Sequence, residues 1–554
     1  MKKKLPIGIE NFKDVALDCY YVDKTLLAKE MIDLPNGSAV LFTRPRRFGK
    51  SLALSMLQTF FEQGQDNEKF FEGKKILELG ENYKSQLGSS PLIRLTMKDI
   101  KGTSFTDLLA RAKDLISNEY LRHEEILNGD ALSDDDKNYF MSIVKKNADD
   151  VDFTSSLRKL SHLLSLFYKK RVIILLDEYD APIECDRVNE FYQDSISFFR
   201  PFYGEALKGN DDLRFAVVTG VLQVAKESLF SGLNNLLVNS ITGSGFDQYF
   251  GFTEKETNDL LSYYGKGDRV LEAKTWYGGY RFGETAMFNP WSILSFARFG
   301  VLEPYWTNTG ENSVLGELIG KSDERTLSSL NEVLSGGTVF VNVDTSINYR
   351  EMSFTKDALF SFLVATGYLS CIERVDGTTF KVALPNKEVD EAFEREIKTR
   401  FIPLEKNDYY FSLRDAFLSG DSKRLSKCVE YVILSSFSSF DFSDEKNYQV
   451  LALTMSAIFF DECIVKSAVN EGNGRCDIMI SPKNEGGIGS VIEIKHYKSK
   501  TSTTRLELES KKALAQIKER DYVEELKARK ASKIFLYGMA FSQKNVAITS
   551  EIKN

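Results

Sequence analysis

Nearly unbroken apolar runs occupy residues 39–43, 91–96, 172–177 and 213–219, and each gives way to a stretch with helical spacing. Runs without polar alternation are what strands covered on both faces require. One helical stretch shows the period plainly: Leu157, Leu160, Leu163, Leu164 and Phe167 form a single stripe, with Arg158, Lys159 and His162 off it. Strand and helix in alternation predict a doubly wound α/β domain over residues 1–250. From 252 the pattern changes to short helices punctuated by glycines and aromatics, as in Trp276-Tyr277-Gly278-Gly279-Tyr280 and Asn289-Pro290-Trp291. Within this helical region of 251–440, residues 355–401 predict a winged-helix-like unit: a helix, a hairpin turning at Asp376-Gly377, and a second helix. The last region, 441–554, reads as α+β. A helix at 448–460, strands at 476–481 and 489–495, a charged helix at 506–526 and a strand at 533–538 follow one another. The whole is expected to be α/β.

A chain of 554 residues exceeds what one hydrophobic core organises, which agrees with several domains. The net charge of −8 removes any global attraction for nucleic acid, so such binding has to be local. Between 495 and 533 twelve Lys or Arg stand against six Asp or Glu, a basic stretch inside an acidic protein; a solvated helix face has the same composition. The six cysteines are far apart and form no CxxC pair, which predicts reduced thiols. Only His123, His162 and His496 are available, so a bound metal has to rely on carboxylates. The N-terminus is basic but meets Pro6, Gly8 and Glu10 instead of an apolar stretch, and no run reaches 18 apolar residues. A cytoplasmic protein with no membrane partner is expected.

Two constellations carry chemistry. In the first, the run at 40–43 precedes Gly49-Lys50-Ser51 and a helix, the strand-to-helix junction where N–H groups and the dipole favour a phosphate. Lys50 is placed to reach the β- and γ-phosphates of ATP and Ser51 to bind Mg²⁺, with Arg47 and Gly49 completing the loop. The full GxxxxGK[ST] pattern is broken, because Arg44 stands where its first glycine would be. The apolar run 172–176 ends in Asp177-Glu178, which suits a Walker B strand: Asp177 supports the metal and Glu178 polarises the attacking water. Thr219 ends a further strand where a γ-phosphate sensor is expected, and Lys226, Asn234 and Asn235 follow on a polar segment. A basic turn without ligand and an ordinary capped helix are the competing readings.

In the second, Asp477 belongs to one strand and Val491-Ile492-Glu493-Ile494-Lys495 to the next. Side chains alternate along a strand, so Glu493 and Lys495 share a face while Ile492 and Ile494 enter the core. A hairpin brings Asp477 beside them. Asp477, Glu493 and the Ile494 carbonyl then form a divalent-metal site, Mg²⁺ or Mn²⁺, with Lys495 positioning the nucleophilic water and Gln516 on the following helix. A cross-strand salt bridge uses the same residue types.

These stretches, together with YYVDKT at 20–25, FTRPRRFGKSL at 42–52, LLDEYDAPI at 175–183, FNPWSIL at 288–294, GRCDIMI at 474–480 and ALAQI at 513–517, resemble the bacterial and archaeal family that joins an AAA-ATPase-like domain to a PD-(D/E)xK nuclease domain. The resemblance implies a Mg-ATP site at Lys50, Ser51, Asp177 and Glu178, and a nuclease site at Asp477, Glu493, Lys495 and Gln516. It also implies a restriction-endonuclease-like fold for the last domain and a nucleic-acid partner, DNA foremost, with mobile elements or phage defence as the setting. Arg44 in place of glycine is a variant of the family's own and leaves open whether ATP is hydrolysed or only bound. Two other readings stay open: a nucleotide-switched module that grips nucleic acid without cutting it, and an ATPase acting on protein partners. A homo-oligomer could supply an arginine finger, for which Arg44, Arg46, Arg47 and Arg281 qualify.

Overall fold

The computed structural model describes residues 2–553 apart from 65, 186–190, 225–228, 230–234, 307–321, 348–354, 402–406, 437–450, 452–453, 456–457, 460–461, 472–473, 498–500 and 543–544. The chain divides into two compact units. Unit 1 comprises Met1–Trp306, Val343–Ser353 and Ser361–Cys371, and unit 2 comprises Thr307–Asn342, Phe354–Phe360 and Ile372–Asn554. The region 251–440 is therefore distributed between them.

Unit 1 is built on β1 (Ser38–Thr43), α1 (Lys50–Phe61), β2 (Leu92–Thr96), α2 (Phe105–Leu121), α3 (Asp150–Tyr168), β3 (Val172–Asp177), α4 (Tyr192–Leu207), β4 (Leu213–Gly220) and β5 (Leu236–Asn239). The strand order is β2-β3-β4-β1-β5, with every pairing parallel. The four predicted apolar runs are its first four strands, and β3 is buried along its whole length. One face packs Val40, Phe42, Ile173, Leu175, Phe215 and Val217 with Leu54, Leu57, Phe60 and Phe61 of α1. Of the stripe read in α3, Leu157, Leu160, Leu163 and Leu164 are fully buried and Phe167, near the end of the helix, is half-buried. Its N-terminus is capped by Asp149, which accepts from Asp152 N–H. A small antiparallel sheet follows, from β6 (Phe252–Thr253), β7 (Tyr280–Phe282) and β8 (Thr285–Phe288) in the order β6-β8-β7, accompanied by α5 (Glu254–Tyr263) and α6 (Pro290–Phe299). A capping box of Thr253 and Glu256 starts α5, and Asn289 caps α6 ahead of Pro290.

In unit 2, α7 (Glu324–Leu334) leads to β9 (Val339–Asn342). The predicted helix–hairpin–helix order is present as α8 (Lys356–Thr366), β10 (Ser370–Arg374), β11 (Thr379–Ala383) and α9 (Lys387–Phe401), with the end of α8 and the start of β10 assigned to unit 1. Strand β9, which the sequence did not announce, joins the hairpin in the order β9-β11-β10. After α10 (Asn407–Ser419) and α11 (Ser422–Ser436) come β12 (Cys463–Glu471), β13 (Gly474–Pro482), β14 (Ile488–Tyr497), α12 (Thr503–Glu519), α13 (Glu524–Ala528), β15 (Lys533–Ser542) and β16 (Asn545–Lys553). The sheet order follows the chain, β12-β13-β14-β15-β16, antiparallel except for the parallel β14–β15 pair that α12 connects.

One face of this sheet packs Ile478, Ile480, Ile492, Phe535, Tyr537 and Met539 against Leu413, Phe417, Leu425 and Val429 of α10 and α11. The other packs Met479, Val491 and Leu536 against Leu514 and Ile517 of α12, with Tyr522, Val523 and Leu526. The charged helix expected at 506–526 is two helices, because Asp521 takes a left-handed conformation (φ 50°) that ends the first and turns Tyr522 inward. Most of the helix expected at 448–460 lies outside the described residues. Among the described residues no helix is long and apolar enough to cross a membrane, and Cys19, Cys371, Cys428, Cys463 and Cys476 are buried thiols that form no disulfide.

Candidate functional site

The loop between β1 and α1 passes through Arg47 (φ 68°) and Gly49 (φ 86°) before the helix begins at Lys50. Nothing crowds Gly49, so its backbone angle and not lack of space calls for glycine. The Lys50 ammonium is buried and donates to the carbonyls of Arg44 at 2.9 Å and Pro45 at 3.0 Å. Burial lowers its pKa, opposed by the carboxylates of Asp177, Glu178 and Asp180. Ser51 follows in the first turn of α1 and is half-buried.

Strand β4 stands between β1 and β3, so Thr219 near its end lies between the Lys50 loop and the Walker B acid. The Thr219 hydroxyl donates to Asp177 Oδ1 at 2.5 Å, and Glu178 N–H donates to the same oxygen at 3.1 Å. Glu178 itself has φ 51°, a conformation that costs a non-glycine residue about 1–3 kcal/mol. Burial first, and Asp177 second, raise the pKa of its carboxyl group. Asp180, which sequence reasoning left without a role, accepts from Val221 N–H and Leu222 N–H, both at 2.9 Å, and fixes the chain beyond Thr219. Its signal was the second aspartate of LLDEYD.

Arg44 is fully buried. Its guanidinium donates to the carbonyls of Thr43 at 2.9 Å and Asn239 at 2.8 Å and to Asn239 Oδ1, and lies over the rings of Phe250 and Phe282. Burial lowers its pKa to about 9. A guanidinium enclosed in this way clamps its own loop and cannot extend to another subunit, which removes Arg44 from the finger candidates. Arg47, expected at the nucleotide, lies over the Trp291 ring at 4.3 Å. Arg281 pairs with Glu284 at 2.7 Å, and Arg46 is exposed. Lys226 and Asn234 lie outside the described residues, while the Asn235 amide donates to the carbonyls of Gly37 and Leu207, a structural cap.

In unit 2 the antiparallel register sets Ile478 opposite Ile492, which puts Asp477 level with Glu493. Asp477 Oδ2 accepts from Ile494 N–H at 2.6 Å. The N–H and C=O of one strand residue point to the same side, so the Ile494 carbonyl faces the strand that carries Asp477. Glu493 is 4% exposed. Its Oε1 accepts from Gln516 Nε2, and the Lys495 ammonium donates to Gln516 Oε1 at 2.5 Å while lying 3.6 Å from Glu493 Oε1. The other oxygen, Glu493 Oε2, is buried with no hydrogen-bond partner. Burial first, then Asp477, raise this carboxyl group's pKa to about 7. A buried, unpaired carboxylate oxygen beside a second carboxylate fits the donor set of a hard divalent cation. Among the described residues no group of three or more His, Cys, Asp and Glu side chains gathers as a metal site, so such a cation would depend here on two carboxylates and a carbonyl.

Residues 6–230 match the AAA-ATPase-like family, described as a predicted AAA-ATPase, and residues 443–551 match the PD-(D/E)XK nuclease superfamily. The chain carries an AAA-ATPase-like domain and a PD-(D/E)XK domain. A protein of Azotobacter chroococcum mcd 1, described as an uncharacterized protein in the vnfD 5′ region, is 27% identical over 410 residues, which cover 73% of this chain and 71% of that protein. The Aeropyrum pernix ORC2 protein, solved as ADPNP and ADP complexes, aligns with 67% of this chain and 93% of its own at 10% identity. Its TM-score of 0.26 is too low to carry an argument. The parallel sheet with its strand-to-helix loop and the mixed sheet with its acid–lysine hairpin are each the architecture expected of the domain matched there.

Proposed function

We propose that unit 1 binds and hydrolyses Mg-ATP and that unit 2 hydrolyses phosphodiester bonds of nucleic acid, DNA foremost, with Mg²⁺ or Mn²⁺. The observation that carries the nuclease half is the junction of Asp477, Glu493, Lys495 and Gln516 around the unpaired Glu493 Oε2. A divalent cation, when bound, offsets phosphate charge and lowers the pKa of a coordinated water. Asp477 and Glu493 would hold it, with the Ile494 carbonyl as a third donor. Gln516 bridges Glu493 and Lys495 and orients both, since its amide N–H donates to the acid and its carbonyl accepts from the ammonium. Lys495 is thereby aimed at the water that attacks phosphorus and stabilises the negative charge that develops.

In unit 1, Lys50 would exchange its two loop carbonyls for phosphate oxygens, with Gly49 N–H beside it. Ser51 and Asp177 would hold Mg²⁺, Thr219 would orient Asp177, and Glu178 would accept the proton of the attacking water. The test is a matrix of cleavage assays on single- and double-stranded DNA and RNA, with and without ATP and metal. Wild type should cut only with Mg²⁺ or Mn²⁺, Lys495→Ala should not cut, and Glu178→Gln should bind ATP without turning it over. Equal cleavage by wild type and Asp477→Ala would sink the nuclease assignment, and retention of nucleic acid without cutting would favour a binding module.

A further inference from the structure

Among the cations of α12, Lys512 pairs with Glu509 and Lys518 with Glu551, and Arg505 lies over the Tyr497 ring. Lys511 and the C-cap residue Arg520 are exposed, and among the described residues no carboxylate is in ion-pair contact with either; of the two, Arg520 lies on the side of Gln516. Its backbone N–H donates to the Gln516 carbonyl at 3.1 Å, one helical turn back, so the two side chains share a face of the helix. That face is the one on which Gln516 holds Glu493 and Lys495. Just beyond, the left-handed Asp521 turns the chain so that Tyr522 is fully buried, and Arg520 Nη1 donates to its hydroxyl at 3.1 Å. The guanidinium is tethered at one nitrogen to a rigid anchor and has its other donors available to solvent.

We propose that Arg520 is a phosphate contact of the nuclease centre: held by Tyr522 on the Gln516 face of α12, it grips the nucleic-acid backbone beside Asp477, Glu493 and Lys495. The chemistry is charge-assisted hydrogen bonding to a phosphate oxygen. It answers a difficulty of the site, since two carboxylates repel the strand they must cut. A fixed guanidinium one turn away offsets that repulsion and sets where the strand lies relative to Lys495. The proposal rests on the nuclease reading.

The competing role is a cation placed only to complement the negative end of the helix dipole, which lysine would also fill and which would leave substrate binding untouched. The test uses the full chain with a labelled 30-base-pair DNA duplex, read by anisotropy over a series of salt concentrations for wild type, Arg520→Gln, Arg520→Lys and Tyr522→Phe. Mn²⁺ binding is followed by calorimetry in parallel. Arg520→Gln should bind DNA about tenfold more weakly, with the slope of log K against log salt reduced by about 0.9, the loss of one phosphate contact. Arg520→Lys should keep the slope, Tyr522→Phe should raise KM more than it lowers kcat, and Mn²⁺ binding should persist in all of them. Wild-type affinity and slope in Arg520→Gln, while the wild-type chain binds and cuts, overturn this proposal alone. Should Arg520→Gln fail to fold, wild-type behaviour of both Arg520→Lys and Tyr522→Phe in KM and affinity overturns it as well. Absence of DNA binding and of metal-dependent cleavage in the wild-type chain overturns the nuclease reading, and this proposal with it.

Discussion

At Glu493, burial beside Asp477 leaves a carboxyl group with a pKa of about 7, far above the ordinary value of 4.5. The folded state then holds this proton more tightly than the unfolded chain, so stability is gained as pH falls through the window from about 7 to 4.5 and lost as it rises. The shift corresponds to something on the order of 3 kcal/mol at pH 8. Glu493→Gln should therefore unfold at a higher urea concentration than wild type at pH 8, with the gap closing near pH 5, while cleavage is lost throughout. An unchanging gap across that range would mean that the acid is not held at a cost. Arg44 behaves in the opposite sense. Arg44→Gly recreates the glycine of the general phosphate-loop pattern, yet it removes the guanidinium that ties Thr43 to Asn239. It leaves those acceptors buried and should cost roughly 2–4 kcal/mol, read as a lower urea midpoint, with no gain in ATP affinity.

Helix α12 lies so close to β15 that a methyl group on Gly538 would collide with the Ser510 carbonyl and the Leu514 backbone. Backbone atoms cannot step aside as a side chain can, so Gly538→Ala must lift the helix, and Gln516 with it. A stability loss of about 1–3 kcal/mol is expected. Cleavage should fall further than the unfolded fraction accounts for, which circular dichroism and activity measured on the same sample can separate. Elements of this kind mark the limit of what the sequence displays. Strands β1 to β4 are legible because both faces are buried, so apolar residues run on without a break, and the hairpin of β13 and β14 is legible from Glu493 and Lys495 alternating with Ile492 and Ile494. Strand β5 escapes notice because it is four residues long, and β12 because Lys466, Ser467 and Asn470 interrupt its pattern. The candidate acids and lysines could be named from spacing. Arg44 as a clamp, Asp180 as a brace and the left-handed turn at Asp521 could not, since each depends on partners distant in sequence or on a backbone angle with no residue signature.

For the molecule as a whole, the matched nuclease segment 443–551 is shorter than the core it needs. Phe417 of α10 packs its ring against Phe459, Phe535 and Tyr537, and the Tyr537 hydroxyl donates to the Phe417 carbonyl. Leu425 and Val429 of α11 complete that layer, and Glu430 accepts from Val546 N–H on the edge strand β16. A fragment of 441–554 would keep Leu451, Met455, Ile458 and Phe459 on this sheet face but lose Leu413, Phe417, Leu425 and Val429, which uncovers much of the apolar layer around Phe535 and Tyr537. Burial at about 25 cal/mol per Å² makes exposure of several large side chains larger than the whole stability of a small domain. That fragment should bind a hydrophobic dye and melt without a cooperative transition, whereas a fragment of 407–554, which restores α10 and α11, should melt cooperatively and retain metal-dependent cleavage. If both melted alike, the helices would be coverings and not core. The interleaving of the units, with Val343–Ser353 and Ser361–Cys371 assigned to unit 1 between segments of unit 2, means that no single cut yields unit 1 and unit 2 each entire. The effect of Lys50→Ala or of added ATP on cleavage is therefore assayed in the intact protein, which holds both units whole.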